Sequence, residues 1–201
     1  MSESRDEAPV DDHKATLLRY LQAARGSLMW KLEGLSEYQL RRPMTPTGTN
    51  LLGLVKHLAS VELGYFGDCL GRPSGIELPW DAEDSEPNAD MWATADESSE
   101  FIVGLYRQAW AHADASFAAL DLDAPAQVPW WGEKGNTSLR VLLVHMIAET
   151  HRHAGHADIV REMIDGAVGL RQGNTNLPPV EPEYWQAYRE RLEAVALAAG
   201  G

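Results

Sequence analysis

One stretch of the chain, Leu139 to Asp165, combines helical periodicity with an unusual number of ionisable side chains. It reads LRVLLVHMIAETHRHAGHADIVREMID and holds four of the seven histidines. Steps of three and four residues keep side chains on one face of a helix, because each residue advances by about 100°. The residues at these steps fall within a wedge of roughly 80°, and they are Leu142, His145, Glu149, His153 and His156. The stretch therefore predicts a helix that carries three imidazoles and a carboxylate on its inward face. Such groups must be neutral, hydrogen-bonded or bound to a metal.

The rest of the chain predicts further helices around this one. Apolar residues recur at threes and fours over four more segments, which are 14–35, 51–65, 95–120 and 183–198. No internal repeat and no alternating strand pattern is present. We therefore expect an all-α fold, a four-helix bundle with long connecting loops and a short C-terminal helix. The connection from Gly71 to Met91 is acidic and rich in proline, and it is predicted to be too polar to pack as an element of its own.

Composition limits what this bundle does. At 201 residues and 44% hydrophobic, the chain suits one domain, expected over 12–201 after a disordered acidic lead-in at 1–11. A net charge of −13 disfavours nucleic acid and anionic membrane as partners.

The apolar runs are shorter than the ~20 residues of a membrane helix. The amino terminus lacks the order of a secretory signal, so we expect a cytoplasmic protein. Cys69 is the only cysteine, which excludes an internal disulfide and a Cys-rich zinc module.

A metal held between two helices explains why such residues would face a core. Glu149 and His153 are four apart, so both can point at one ion from a single helical turn. His57 is the best candidate for a third ligand, because a bundle can bring the second helix alongside the fourth. Two histidines and a carboxylate leave a fourth position open, as in catalytic zinc sites, and nickel or iron would accept the same set.

Other residues keep alternative roles at this stage. His145 and His156 could replace Glu149 as ligand, support the ligands from behind, or fill the core as neutral imidazoles. His151 lies about half a turn around the helix from Leu142, on the predicted solvent face. Four tryptophans are candidates either for a substrate pocket or for packing. They are Trp80, Trp92, Trp130 and Trp131.

The motif His145-x3-Glu149-x3-His153-Ala-Gly-His156, with an earlier histidine in LLGLVKHLASVE, resembles the DinB-like superfamily. The usual late motif there is His-x3-His-x3-His-Arg-Gly-Gln. The resemblance implies a four-helix bundle, often dimeric, whose divalent metal would be held here by His57, Glu149 and His153. Glutamate at the middle position is similar to the mycothiol-dependent isomerases of the superfamily and favours its actinobacterial thiol-transferase branch. Ala154 and His156 depart from the usual Arg and Gln.

The resemblance implies thiol chemistry at a divalent metal, most simply zinc, with a small thiol such as mycothiol and a small electrophile as partners in a homodimer. The nucleophile would then belong to the cosubstrate, which suits a chain with one cysteine. Two alternatives stay open. The same ligands would serve a hydrolase that activates water, and the bundle could be a non-catalytic metal-binding or stress-response protein.

Overall fold

The computed structural model of the protein describes residues 12–82 and 84–200. The lead-in predicted for residues 1–11 lies outside the described residues. The helices are, in chain order, α1 (His13–Trp30), α2 (Glu37–Arg41), α3 (Leu51–Phe66), α4 (Ser99–Ala119), α5 (Leu139–Asp165) and α6 (Pro182–Gly200). α1 packs against α5, and α3 packs against both α4 and α5. The predicted all-α helical bundle is confirmed.

Short polar side chains set where the bundle helices begin. Asp12, Asn50 and Ser98 each accept a hydrogen bond from a backbone N–H in the first turn of α1, α3 and α4 respectively. Such caps satisfy amide groups that have no partner inside the helix. α5 ends at Asp165, and the following Gly166 has a φ of 78°, in the left-handed region that glycine adopts without strain. These local signals set where α3 begins and where α5 ends.

The core lies between α1, α3, α4 and α5 and is mainly leucine with aromatic side chains. Phe66 of α3 and Phe117 of α4 meet edge to face with ring centroids 4.7 Å apart. An ion pair is buried in this apolar setting. The guanidinium of Arg25 on α1 donates hydrogen bonds to both carboxylate oxygens of Glu62 on α3. The exposed Asp114 of α4 contacts the same guanidinium at 3.2 Å. Arg25 therefore links α1 to α3 inside the core and links α1 to α4 at the exposed edge of the core.

Two predicted helix boundaries were wrong. The first helix ends at Trp30, short of the predicted Leu35. The chain turns at Gly34, whose φ is 75°, and α2 then begins with its own capping box at Ser36. Leu32 lies beyond the end of α1 but is still buried, so the apolar spacing in the sequence continues through this turn. α4 begins four residues after the predicted Ala95, where Ser98 provides the cap.

The prediction for one connection was also wrong. The segment from Gly71 to Met91 is not an unpacked loop. It holds short 3-10 turns at Pro79–Asp81 and Ala89–Met91, and the second packs on α3. The connection before α5 contains a small antiparallel sheet of β1 (Pro125–Gln127) and β2 (Asn136–Ser138). Strands of three residues are too short to show an alternating pattern. In the part of the chain that the structure describes, no helix is both long enough and apolar enough to cross a bilayer.

Candidate metal centre

Three side chains from two helices converge where α3 packs against α5. His57 comes from α3, while Glu149 and His153 lie one turn apart on α5. One donor atom of each residue lies within 4.8 Å of the other two. The Oε1 atom of Glu149 is 2.9 Å from Nε2 of His153 and 3.4 Å from Nε2 of His57. The structure thus brings together the three residues that the sequence proposes as ligands.

The three donors form a set that divalent transition metals accept. Two imidazole nitrogens and a carboxylate oxygen suit zinc, and nickel and iron bind similar sets. Both rings turn Nε2 towards the carboxylate of Glu149 and leave Nδ1 facing away from it. Three protein ligands leave a further coordination position for another molecule, which is the arrangement of catalytic zinc sites. The residues present therefore fit a metal ion.

The three donor side chains shift one another's pKa values. Burial opposes a charge on His57, but the hydrogen bonds and charges of Asp90 and Glu149 outweigh burial and raise the pKa of its imidazole. Burial lowers the pKa of His153, and the neighbouring charge of His57 lowers it further. Burial opposes the charge on Glu149 as well, yet the two histidines hold the pKa of its carboxyl below the usual range. The group therefore consists of an ionised Glu149 carboxylate and a His57 imidazole that readily takes up a proton.

The other two histidines of the inward face lie outside this donor group. His156 sits behind His153, with the two Nδ1 atoms 3.4 Å apart. His145 lies one turn before Glu149 and packs against aromatic rings. His151 is exposed, as its position half a turn away predicts. The structure therefore places His156 where it can support a ligand and His145 where it can line a neighbouring surface.

An aromatic cluster continues from the metal centre along α3 and α5. It consists of Tyr65, Trp130, Trp131 and His145. The ring of His145 lies 4.9 Å from both Tyr65 and Trp131, measured between centroids. The indole of Trp130 donates a hydrogen bond of 3.1 Å to the Tyr65 hydroxyl, although the residue is 60% exposed. Two of the four candidate tryptophans therefore share one surface beside the site.

The remaining candidate tryptophans lie on the connection between α3 and α4. Trp80 is buried and donates to the hydroxyl of Ser60 at 2.8 Å, while the Lys56 ammonium lies 3.9 Å above its ring. Trp92 is partly exposed, and its backbone carbonyl accepts a hydrogen bond from Lys56 at 2.9 Å. Both residues fasten the connection to α3.

Sequence reasoning missed one polar partner of the site. Asp90 places its Oδ2 atom 2.6 Å from Nδ1 of His57. It belongs to an acidic, proline-containing segment without helical or strand periodicity, so nothing in the sequence distinguishes it from the neighbouring carboxylates. Tyr65 was assigned to the apolar stripe of its helix, and its contact with Trp130 depends on how a distant loop folds back.

Comparison with protein families found a match over most of the chain. The family model described as "Mycothiol-S-transferase" matches residues 16–166. The matched range includes most of α1, all of α2 to α5 and the three residues of the donor group. No curated protein and no solved structure matches the chain.

Proposed function

Because the chain belongs to the mycothiol-S-transferase family, we propose that it is a metal-dependent transferase that joins a small thiol such as mycothiol to a small electrophile. The observation that carries the metal part of this proposal is the convergence of His57, Glu149 and His153 within 4.8 Å. Zinc is the proposed metal. A cytoplasmic location and a homodimer remain predictions from the sequence.

In this proposal His57 and His153 each offer Nε2, and Glu149 offers a carboxylate oxygen. A zinc ion held there would favour the deprotonated form of the cosubstrate thiol, so that a thiolate would be available near neutral pH. Glu149 contributes one negative charge and the histidines contribute none when neutral, so the protein only partly offsets a divalent charge. The site thereby stays favourable for an anionic sulfur.

The protein's own thiol is unsuited to the reaction. Cys69 lies in the turn after α3 and is only 4% exposed. Burial raises the pKa of the Cys69 thiol to about 11, with a smaller contribution from the charge of Asp68. A buried neutral thiol is a poor nucleophile. The attacking sulfur therefore comes from the cosubstrate.

The proposed transfer forms one bond and breaks another. The sulfur of the thiolate attacks the electrophilic carbon, a carbon–sulfur bond forms, and the leaving group departs with the bonding electron pair. The proton of the thiol is released to solvent before the attack. No oxidation or reduction takes place, so no redox partner is required.

The aromatic cluster is the surface that we propose for the electrophile. It begins at His145, one turn from Glu149, and extends through Tyr65 to Trp130 and Trp131. Aromatic rings bury large apolar area with few rotatable bonds, so they bind flat or apolar groups at low entropic cost. Among the four tryptophans that the sequence offered, Trp130 and Trp131 suit this role best, because Trp131 packs against His145 and Trp130 packs against Tyr65.

The proposal is tested by assaying conjugation of mycothiol to a fluorogenic bimane halide. Metal-free protein, the same protein reloaded with zinc, and the variants His153→Ala and His151→Ala are compared. We expect turnover only with both zinc and thiol, a loss of more than about 100-fold in His153→Ala, and parental activity in His151→Ala. Thiol-independent cleavage of an activated ester would favour the hydrolase instead. Stoichiometric zinc without conjugation of any halide, epoxide or enone tested would favour the non-catalytic bundle.

A further inference from the structure

The connection between α3 and α4 is held tightly against the α3 face that carries His57. The side-chain amide of Asn50 donates to the carbonyl of Met91 at 3.1 Å, and the Lys56 ammonium donates to the carbonyl of Trp92 at 2.9 Å. Lys56 also pairs with Glu97 at 2.9 Å. These contacts hold the residues that directly follow Asp90 against the part of the chain that precedes His57 on α3. The backbone next to Asp90 is therefore fixed beside His57.

Gly53 allows this close approach. A Cβ atom at position 53 would lie 1.7 Å from the carbonyl oxygen of Met91, which is far inside van der Waals contact. Gly53 is one helical turn before His57, so the backbone of Met91 can rest on α3 directly beside the histidine. Because Gly53 has no side chain, the backbone of Met91 can lie close to α3, and the neighbouring Asp90 comes within reach of the His57 imidazole.

Asp90 contacts the nitrogen of His57 that points away from the donor group. Its Oδ2 atom is 2.6 Å from Nδ1, whereas Nε2 faces Glu149. A carboxylate can only accept a hydrogen bond, so Nδ1 must carry the proton in this contact. The neutral ring then holds its free electron pair on Nε2, which is the atom that a metal would bind.

We propose that Asp90 is a positioning residue that holds His57 in the Nδ1–H form and so directs Nε2 to the metal. The inference rests on the proposed metal-dependent function and extends it to the segment between α3 and α4. Ligand histidines commonly donate their second N–H to a carboxylate, and loss of that partner weakens metal binding about 10–100-fold. The structure places the imidazole of His156 behind His153, and this ring can donate or accept, whereas the carboxylate of Asp90 can only accept from His57.

The direct test is the zinc affinity of Asp90→Asn, measured by competition with a chromophoric chelator. Asp81→Asn is the matched control, because Asp81 is an exposed carboxylate on the same segment and its charge acts on both His57 and Asp90. We expect about 10–100-fold weaker zinc binding in Asp90→Asn and a change of no more than about threefold in Asp81→Asn, where solvent screens the charge. Equal losses of zinc affinity in the two variants would mean that only the net charge near the site matters. An unchanged zinc affinity in Asp90→Asn would overturn the inference.

A second measurement is independent of the metal. Nitrogen-15 NMR of labelled histidine in the metal-free protein, at a pH where the rings are neutral, reports which nitrogen of His57 carries the proton. The parent protein should show the Nδ1–H form, and Asp90→Asn should lose that preference. An Nε2–H form in the parent would overturn the inference. Failure of the parent to bind zinc would instead refute the proposed function, while the NMR result would still decide the role of Asp90.

Discussion

The Nε2 atom of His153 lies 2.9 Å from the Oε1 atom of Glu149, one turn earlier on the same helix. The spacing of four residues that places these atoms together is written into the sequence of α5. His57 joins them only because α3 packs against α5. Two of the three donors are therefore a local property of one helix, and the third depends on the tertiary structure.

Zinc affinity should fall as the pH decreases from about 8 to about 6. The metal needs neutral His57, and the pKa of this imidazole is raised above its ordinary 6.5 because Asp90 and Glu149 outweigh burial. Protons therefore compete with zinc at higher pH than they would at an ordinary histidine. The pKa of His153 is lowered, so its protonation adds to the competition only at lower pH.

Isothermal titration calorimetry in two buffers of different ionisation enthalpy measures the protons released as zinc binds. We expect release that increases as the pH falls towards and below the raised pKa of His57, since more of the ring must then lose its proton. His151→Ala should behave like the parent because that residue is exposed and outside the donor group. An affinity that is constant over this range would contradict a ligand role for His57.

Replacing Glu62 by glutamine should destabilise the fold strongly. Both side chains of the Arg25–Glu62 pair are almost fully buried, so the variant leaves a guanidinium in the core without its main counter-charge. Breaking such a pair costs about 3–5 kcal/mol in the free energy of unfolding. Asp114→Asn is the control, because this carboxylate is 63% exposed and its contact with Arg25 is worth no more than about 1 kcal/mol. Urea unfolding distinguishes the two variants, and equal losses would contradict this assignment.

Gly53→Ala should destabilise the protein although alanine is the better helix former. The added Cβ would meet the Met91 carbonyl oxygen, and such overpacking typically costs about 1–3 kcal/mol. Gly64→Ala is the matched control on α3, because its new Cβ would be 4.0 Å from the nearest atom, in Trp130. That variant should gain up to about 1 kcal/mol from helix propensity. If urea unfolding finds both variants equally stable, the close contact at Gly53 is contradicted.

Cys69→Ala should retain thiol-transfer activity. The residue is buried beyond the end of α3, and burial raises the pKa of its thiol to about 11. Native protein should accordingly react with a disulfide reagent much more slowly than unfolded protein. Rates of modification with and without denaturant, and conjugation rates of parent and variant, measure both expectations. Loss of conjugation in a folded Cys69→Ala variant would contradict a nucleophile supplied by the cosubstrate.

The sequence was most informative where chemistry follows helical periodicity. α5 runs from Leu139 to Asp165 as predicted, because its apolar repeat is continuous and Gly166 ends it. The pairing of His57 with Glu149 and His153 followed from the expectation that apolar faces of neighbouring helices meet. Spacing within α5 was enough for Glu149 and His153, and His57 followed from the expectation that the buried leucine faces of α3 and α5 meet.

The parts that could not be predicted depend on segments without periodicity. Asp90 reaches His57 because Met91 rests on Gly53, a contact between residues that no spacing rule relates. Trp130 reaches Tyr65 because a short hairpin folds back before α5. Tertiary packing fixes both contacts, and neither leaves a pattern in the sequence.

The central claim is tested most directly by the zinc content of tag-free protein, measured by elemental mass spectrometry. The parent and the folded variants His57→Ala, His153→Ala and His151→Ala are each dialysed against zinc and then against buffer. We predict about one zinc per chain in the parent and in His151→Ala, and almost none in the two ligand variants. No zinc in the parent, or equal zinc in all four proteins, would contradict a metal centre at His57, Glu149 and His153.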